Sequence, residues 1–165
     1  MLQPAGIDAH TDKAALHRAL RQQLGALLAG EEDPIANAAN LSALVFQVMP
    51  ELNWAGFYFL RGEELVLGPF QGKPACTRIP VGKGVCGTAA EKAQSVLVED
   101  VHAFPGHIAC DAASRSELVV PLVRGGRVFG VIDLDSPIVA RFDDEDREAV
   151  ENLAALYVAG SRPLA

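Results

Sequence analysis

Gly125-Gly126 separates two apolar runs, Leu118–Val123 and Val128–Leu134. A glycine pair between two such runs turns an antiparallel hairpin. The period of a strand puts Leu118, Val120 and Leu122 on one face, and Val128, Ile132 and Leu134 on one face of the second strand. A two-residue turn would set Leu118 opposite Asp133. A three-residue loop, Arg124–Gly126, sets Leu118 opposite Ile132 and Leu122 opposite Val128, so the apolar faces coincide. A slip of one residue would expose the whole apolar set. The three-residue loop is therefore predicted, with Gly126 at positive φ. It also places Glu117 opposite Asp133, with Asp135 two residues on, so three carboxylates share the face away from the apolar layer.

The rest of the chain supplies helices at both ends. Leu16, Leu20, Leu24, Leu27 and Leu28 recur at helical spacing over 12–29, and Gly30 stops the run. Asp33-Pro34 is an N-cap and first-turn pair for a second helix running towards Pro50. Strands are predicted at Asn53–Leu60 and Glu64–Gly68, with a turn at Arg61-Gly62, and shorter ones at Arg78–Pro80 and Ser95–Val98. Residues 70–77 read as a loop. Gly82-Lys83-Gly84 opens a short helix over about 85–93. Residues 99–116 form a connection long enough to suggest function. Asp143 caps a last helix over about 144–159. Helices flanking an antiparallel sheet make an α+β layered domain. No repeat or linker interrupts the 165 residues, which suffice for one domain with a sizeable core.

Net charge is −7 without a Lys/Arg cluster, which argues against nucleic acid and anionic membrane as partners. No apolar run approaches the ~18 residues of a membrane span. Met1 to His10 lacks the pattern of a signal peptide. A cytoplasmic location is expected, where thiols are kept reduced.

Against that background, the three cysteines Cys76, Cys86 and Cys110 stand out. They lie in glycine-, proline- and polar-rich stretches rather than in apolar runs. Each has two readings, a small buried hydrophobe or a reachable thiol. Cys86 falls near a predicted helix N-terminus, where the dipole lowers a thiol pKa, but it can also simply pack. His107, three residues before Cys110, either favours a thiolate or is a solvated loop residue, and the second is the simpler reading. An attacking thiol with a second one in reach supports redox chemistry by sulfenic acid and disulfide. Zinc would have to draw on His102, His107 and Cys110 with Cys76 or Cys86. The cysteines lie far apart in sequence, without the tight pairs of structural zinc sites, which argues against metal.

The acids Glu117, Asp133 and Asp135 repel one another unless a cation or a shared proton relieves them, and an ammonium group fits that need. Trp54 and Tyr58 share a strand face and serve either as core or as the wall of a small-ligand site, including cation–π contact. The glycine-rich run Arg78–Gly87 can hold a carboxylate at a helix N-terminus but has no phosphate-loop signature.

Several segments resemble the free methionine-(R)-sulfoxide reductases, which are single GAF domains. They are Asn53–Tyr58, Leu67–Cys76, Gly84–Thr88, Asp100–Asp111 and Val131–Ser136, within a resemblance covering roughly 33–159. The first thirty residues carry little of it. The resemblance implies one GAF-like domain over 1–165, with 1–32 as an N-terminal helical extension and a core over 33–160. It implies a central antiparallel sheet flanked by N- and C-terminal helices. It implies reduction of free L-methionine-(R)-sulfoxide, with Cys110 attacking sulfur, Cys76 resolving the sulfenic acid and Cys86 as a secondary participant. Glu117, Asp133, Asp135, Trp54 and Tyr58 would line the substrate pocket. No cofactor is implied beyond an external dithiol, usually thioredoxin, and a homodimer is expected. The alternatives are a non-enzymatic GAF sensor of a small ligand and a zinc-bound regulatory module. Methionine release from the sulfoxide and the metal content of purified protein separate these.

Overall fold

A computed structural model describes residues 12–165. The expectation for Met1 to His10 and the start of the N-terminal extension lie outside the described residues. In chain order the elements are α1 (Lys13–Leu28), α2 (Pro34–Val48), β1 (Trp54–Arg61), β2 (Glu64–Gly72), β3 (Arg78–Pro80), α3 (Gly84–Lys92), β4 (Val96–Val98), β5 (Ser116–Arg124), β6 (Arg127–Ser136) and α4 (Asp144–Gly160). The strands form one antiparallel sheet ordered β3-β2-β1-β6-β5-β4. This is the expected α+β architecture.

Alternation along the strands divides the sheet between two layers. Ala55, Phe57, Phe59, Leu118, Val120, Leu122, Ile132 and Leu134 face α1, α2 and α4, where they meet Leu20, Leu24, Leu41, Val45, Leu153 and Tyr157. Trp54, Tyr58, Val119 and Val131 face the other way and pack with Val85, Cys86 and Ala89 of α3 and with Val101. The candidate site residues Trp54, Tyr58 and Cys86 belong to this second layer.

β2 continues to Gly72, beyond the predicted end at Gly68. Its added residues pair with β1 through Gly72 opposite Trp54 and Phe70 opposite Gly56. Pro69 falls at an irregularity of that pairing, where Gly68 and Pro69 together lie opposite Phe57, and a bulge is a position at which a strand accepts proline.

The predicted three-residue hairpin loop is not formed. Gly125 and Gly126, with φ of +57° and +76°, make a two-residue turn, and Arg124 pairs with Arg127. Positive φ at both central residues is what glycine supplies most readily. The facing of the layers is restored by a β-bulge. Val123 pairs with Val128 but Leu122 pairs with Gly130, so Phe129 is an extra residue on β6. Beyond it Leu118 faces Leu134, Val120 faces Ile132, and Glu117 faces Asp135 rather than Asp133. The apolar faces coincide and the three acids share the other face, as expected. Val128 is the exception: ahead of the bulge it packs on the α3 side, while Phe129 packs on the helical layer. Arg124 sits 5.0 Å above the Phe129 ring and donates to the carbonyls of Val158 and Ser161 at the end of α4.

Helix ends follow their local chemistry. Asp33 accepts from the N–H groups of Ile35 and Ala36, and Asp143 forms a reciprocal capping box with Asp146. Asp146 is fully buried and lies 2.7 Å from Lys13, 3.2 Å from His17 and 3.2 Å from Arg141. Burial pushes its carboxyl up, but these partners outweigh burial and hold it down at about 2. A folded pKa below the unfolded 3.8 stabilises the fold above about pH 4, and this is lost as pH falls towards 2. The linkage is worth on the order of 2 kcal/mol. Asp146→Asn is expected to lower the urea midpoint at pH 7 and to flatten the acid limb of stability between pH 4 and 2. Parallel acid limbs in the two proteins would exclude this role.

Candidate active site

β1 supplies the pocket wall. Trp54 and Tyr58 point towards α3, their rings stacked 5.8 Å apart, and Phe70 stacks on Trp54 at 5.3 Å. Between them Gly56 has no substitute: a Cβ there would come 2.4 Å from the Cβ of Phe70. Both aromatics also hold the segment that carries the first cysteine. Trp54 Nε1 donates to the Lys73 carbonyl at 3.1 Å, and the Tyr58 hydroxyl donates to the Cys76 carbonyl at 2.9 Å. The two readings of this pair are therefore not exclusive, since both rings are core and both line the pocket.

β5 and β6 supply the floor. Asp135 lies across from both Trp54 and Glu117, and Asp133 lies across from Gly56. Glu117 and Asp133 are buried. All three carboxyls are held well above the ordinary range, first by burial and then by one another's charge. Asp133 Oδ1 is buried without a hydrogen-bond partner. Such an atom is costly in an interior and points to a missing donor or proton.

α3 closes one side with Gly84, Val85 and Cys86. Cys86 is buried and free, its Sγ 3.9 Å from Glu117 Oε1. The helix N-terminus does not lower this thiol. Burial and the three neighbouring acids outweigh the dipole and push it well up. Lys83 provides no side-chain cap for α3, whose first turn borders the pocket.

The connection between β4 and β5 forms the lid. A short 3-10 turn at Val101–Ala103 buries Val101, and Val101 N–H donates to the Arg115 carbonyl, drawing the two ends together. Asn53 Nδ2 donates to Asp111 Oδ2 at 3.1 Å and to Ser114 Oγ at 3.0 Å, fastening the far end of the lid to the start of β1. Cys110 is joined to Cys76 by a disulfide with a Cα–Cα distance of 5.4 Å, across 34 residues of sequence. His107 Nε2 lies 3.7 Å from Glu117 Oε2. His107 is thus a pocket residue and not the solvated loop residue that the sequence favours.

One cleft is lined by Trp54, Tyr58, Cys86, Cys110, Glu117, Asp133 and Asp135, with Cys76 bonded at its rim. Every residue that the resemblance assigns to the site lines it or, for Cys76, is bonded at its edge. The zinc set is not assembled, since His102 is exposed and Cys76 and Cys110 are bonded to each other. A different group, Cys86, Glu117 and Asp133, brings potential ligand atoms within 4.8 Å of one another. Sequence reasoning missed Asn53 and Ser114, whose polar types and positions give no sign of what they anchor.

Residues 36–159 match the GAF domain model, and the chain is a GAF-domain protein. It is 52% identical over 144 residues, 87% of each chain, to the free methionine-R-sulfoxide reductase of Escherichia coli. It is 46% identical over 135 residues to the enzyme of that name from Saccharomyces cerevisiae, covering 77% of this chain and 75% of that one. The solved free methionine-R-sulfoxide reductase of Neisseria meningitidis, in complex with its substrate, superposes with a TM-score of 0.90 at 45% identity. That match covers 96% of this chain and 95% of that one. Within the GAF domains, this chain belongs to the free methionine-R-sulfoxide reductase family.

Proposed function

We propose that this protein reduces free L-methionine-(R)-sulfoxide to L-methionine through the Cys110 thiol, with Cys76 as the resolving thiol. The observation that carries this is the Cys76–Cys110 disulfide at the rim of a pocket floored by protonatable acids. A ligand sensor would have no use for that bond.

The chemistry follows from the groups present. A sulfoxide oxygen is a poor leaving group until protonated, and a carboxyl with a raised pKa can supply the proton. Glu117 has that role: it is buried and adjoins, through His107, the loop bearing Cys110. The Cys110 sulfur attacks the substrate sulfur to give an adduct; its S–S bond and the substrate S–O bond then break as oxygen bonds to the Cys110 sulfur, which releases methionine and leaves Cys110 as a sulfenic acid. The Cys76 thiol then attacks Cys110 sulfur, water leaves, and the disulfide closes. An external dithiol of the thioredoxin type reduces it and leaves as its own disulfide. Cys86, buried and protonated, stays outside this cycle. Asp133 and Asp135 receive the substrate ammonium, and the uncapped first turn of α3 receives its carboxylate. Trp54 and Tyr58 hold the thioether chain. The reaction needs no metal, nucleotide or flavin.

The chain acts in the cytoplasm as one domain, with 1–32 as an extension, and as a homodimer. Among the described residues no helix is long and apolar enough to cross a membrane. The test is chiral. With a mixture of both sulfoxide epimers and a dithiol, the (R) form alone should disappear and methionine appear in equal amount. Consumption of neither epimer, or of both equally, defeats the proposal.

A further inference from the structure

We propose that His107 carries the proton between the Cys110 thiol and the Glu117 carboxyl. The inference rests on the reductase reading above and adds a residue to it.

The cycle sets a proton problem. Cys110 has to lose a proton to become a nucleophile, and Glu117 has to regain the one it gives to the sulfoxide oxygen. Glu117 is buried, and the groups around it are poor carriers. Asp133 and Asp135 are crowded carboxyls themselves, and Cys86 on α3 and Tyr58 on β1 are held protonated by burial and by the acids. Asp111 on the lid is ionised, with Ala113 N–H and Asn53 bonded to it and Lys73 nearby. Among the residues lining the pocket, His107 is the one nitrogen base.

Its placement suits the task. Nε2 lies 3.7 Å from Glu117 Oε2, a few tenths of an ångström beyond a hydrogen bond, and such contacts tighten when substrate is bound. The imidazole is three residues from Cys110 on the same lid. Its side chain is 14% exposed, so it touches both the buried acid and solvent. Burial lowers its pKa, which leaves it neutral and able to accept a proton at neutral pH.

The protons then balance. His107 takes the thiol proton of Cys110 and becomes imidazolium. Glu117 gives its proton to the sulfoxide oxygen and becomes carboxylate. His107 returns the proton to Glu117, and both are restored before the disulfide forms. The net change is oxygen transfer from substrate sulfur to Cys110 sulfur.

The experiment is single turnover of the fully reduced enzyme with L-methionine-(R)-sulfoxide, comparing the unmutated protein, His107→Gln and His107→Ala. The expected result is a rate of methionine formation about 100-fold lower in both variants, with little change in the substrate concentration at half-maximal rate. The acid-side fall in rate, where the imidazole protonates below pH 6.5, should vanish in His107→Gln. Added imidazole should restore part of the rate in His107→Ala. Closure of the Cys76–Cys110 disulfide in each variant shows that the lid is intact. Rates within twofold of the unmutated protein, or a loss that keeps the acid limb and resists imidazole, would overturn the proposal. An unmutated protein that forms no methionine would overturn the reductase reading and this role with it, and that arm is read separately.

Discussion

Cys110→Ser should form no methionine, while Cys76→Ser should form one methionine per subunit and then stop. The two cysteines are equivalent in the disulfide, so the difference comes from their surroundings. Cys110 lines the pocket beside His107 and the acids. Cys76 is not among the lining residues, and its carbonyl accepts from the Tyr58 hydroxyl. Without Cys76 the first oxygen transfer proceeds and the sulfenic acid is stranded. Without Cys110 nothing attacks sulfur. Quenched-flow counting of methionine per subunit separates the two. Near-stoichiometric methionine from Cys110→Ser would reverse the assignment of attacker and resolver. Slow continued cycling by Cys76→Ser would place Cys86 as a substitute resolver. That thiol is buried and held protonated, so stopping after one turnover is the expected outcome.

The second large effect is the preference for a free amino acid. A substrate ammonium offers three donors and a positive charge to Asp133 and Asp135. A peptide-linked or N-acetylated methionine offers one neutral N–H at the same place. Against a neutral amide with a single donor, the acids, among them Asp133 with its unpartnered Oδ1, would go without the charge and the further donors of the ammonium. Leaving a desolvated charge unpaired costs roughly 2–5 kcal/mol, on the order of 30- to several-thousand-fold in specificity. The kcat/KM for N-acetyl-methionine sulfoxide should fall below that for the free compound by such a factor. Asp135→Asn should narrow the gap by weakening use of the free compound alone. Equal values for the two substrates in the unmutated protein would mean that the acids do not read the ammonium.

The layers of the fold were legible because they depend on periodicity and punctuation. The leucines of α1, the Asp33-Pro34 start of α2 and the Gly125-Gly126 turn each carry a local signal strong enough to survive folding. Failures came where two local rules compete. Glycine-glycine prefers a two-residue turn, and apolar alternation asks for an odd loop. The structure satisfies both through the extra residue at Phe129, a solution that neither rule contains. The acids were legible as a cluster because alternation needs only their parity. Which acid meets which depends on the bulge, so Glu117 was set against the wrong partner. Asn53 is not legible as a site residue, and His107 is legible only as the less simple of two readings. Their roles arise from the path of an irregular lid, and no periodicity governs that path.

The bulge also bears on what changes of length the chain can survive. Along β5 and β6 the residues of the pocket floor alternate one by one with residues of the helical layer: Glu117 adjoins Leu118, and Leu134 lies between Asp133 and Asp135. Gaining or losing one residue on the site side of the bulge would exchange the two sets, sending carboxyls into the apolar layer and leucines into the pocket. At the turn the same event can be absorbed, because Phe129 is already a surplus residue and a three-residue loop without a bulge reaches the same facing. Single-residue insertions and deletions should therefore be tolerated between about 123 and 130 and lethal to the fold between 116 and 122 or 131 and 136. In this sheet the site and the core are two readings of one stretch of chain, and the hairpin tip keeps them in phase.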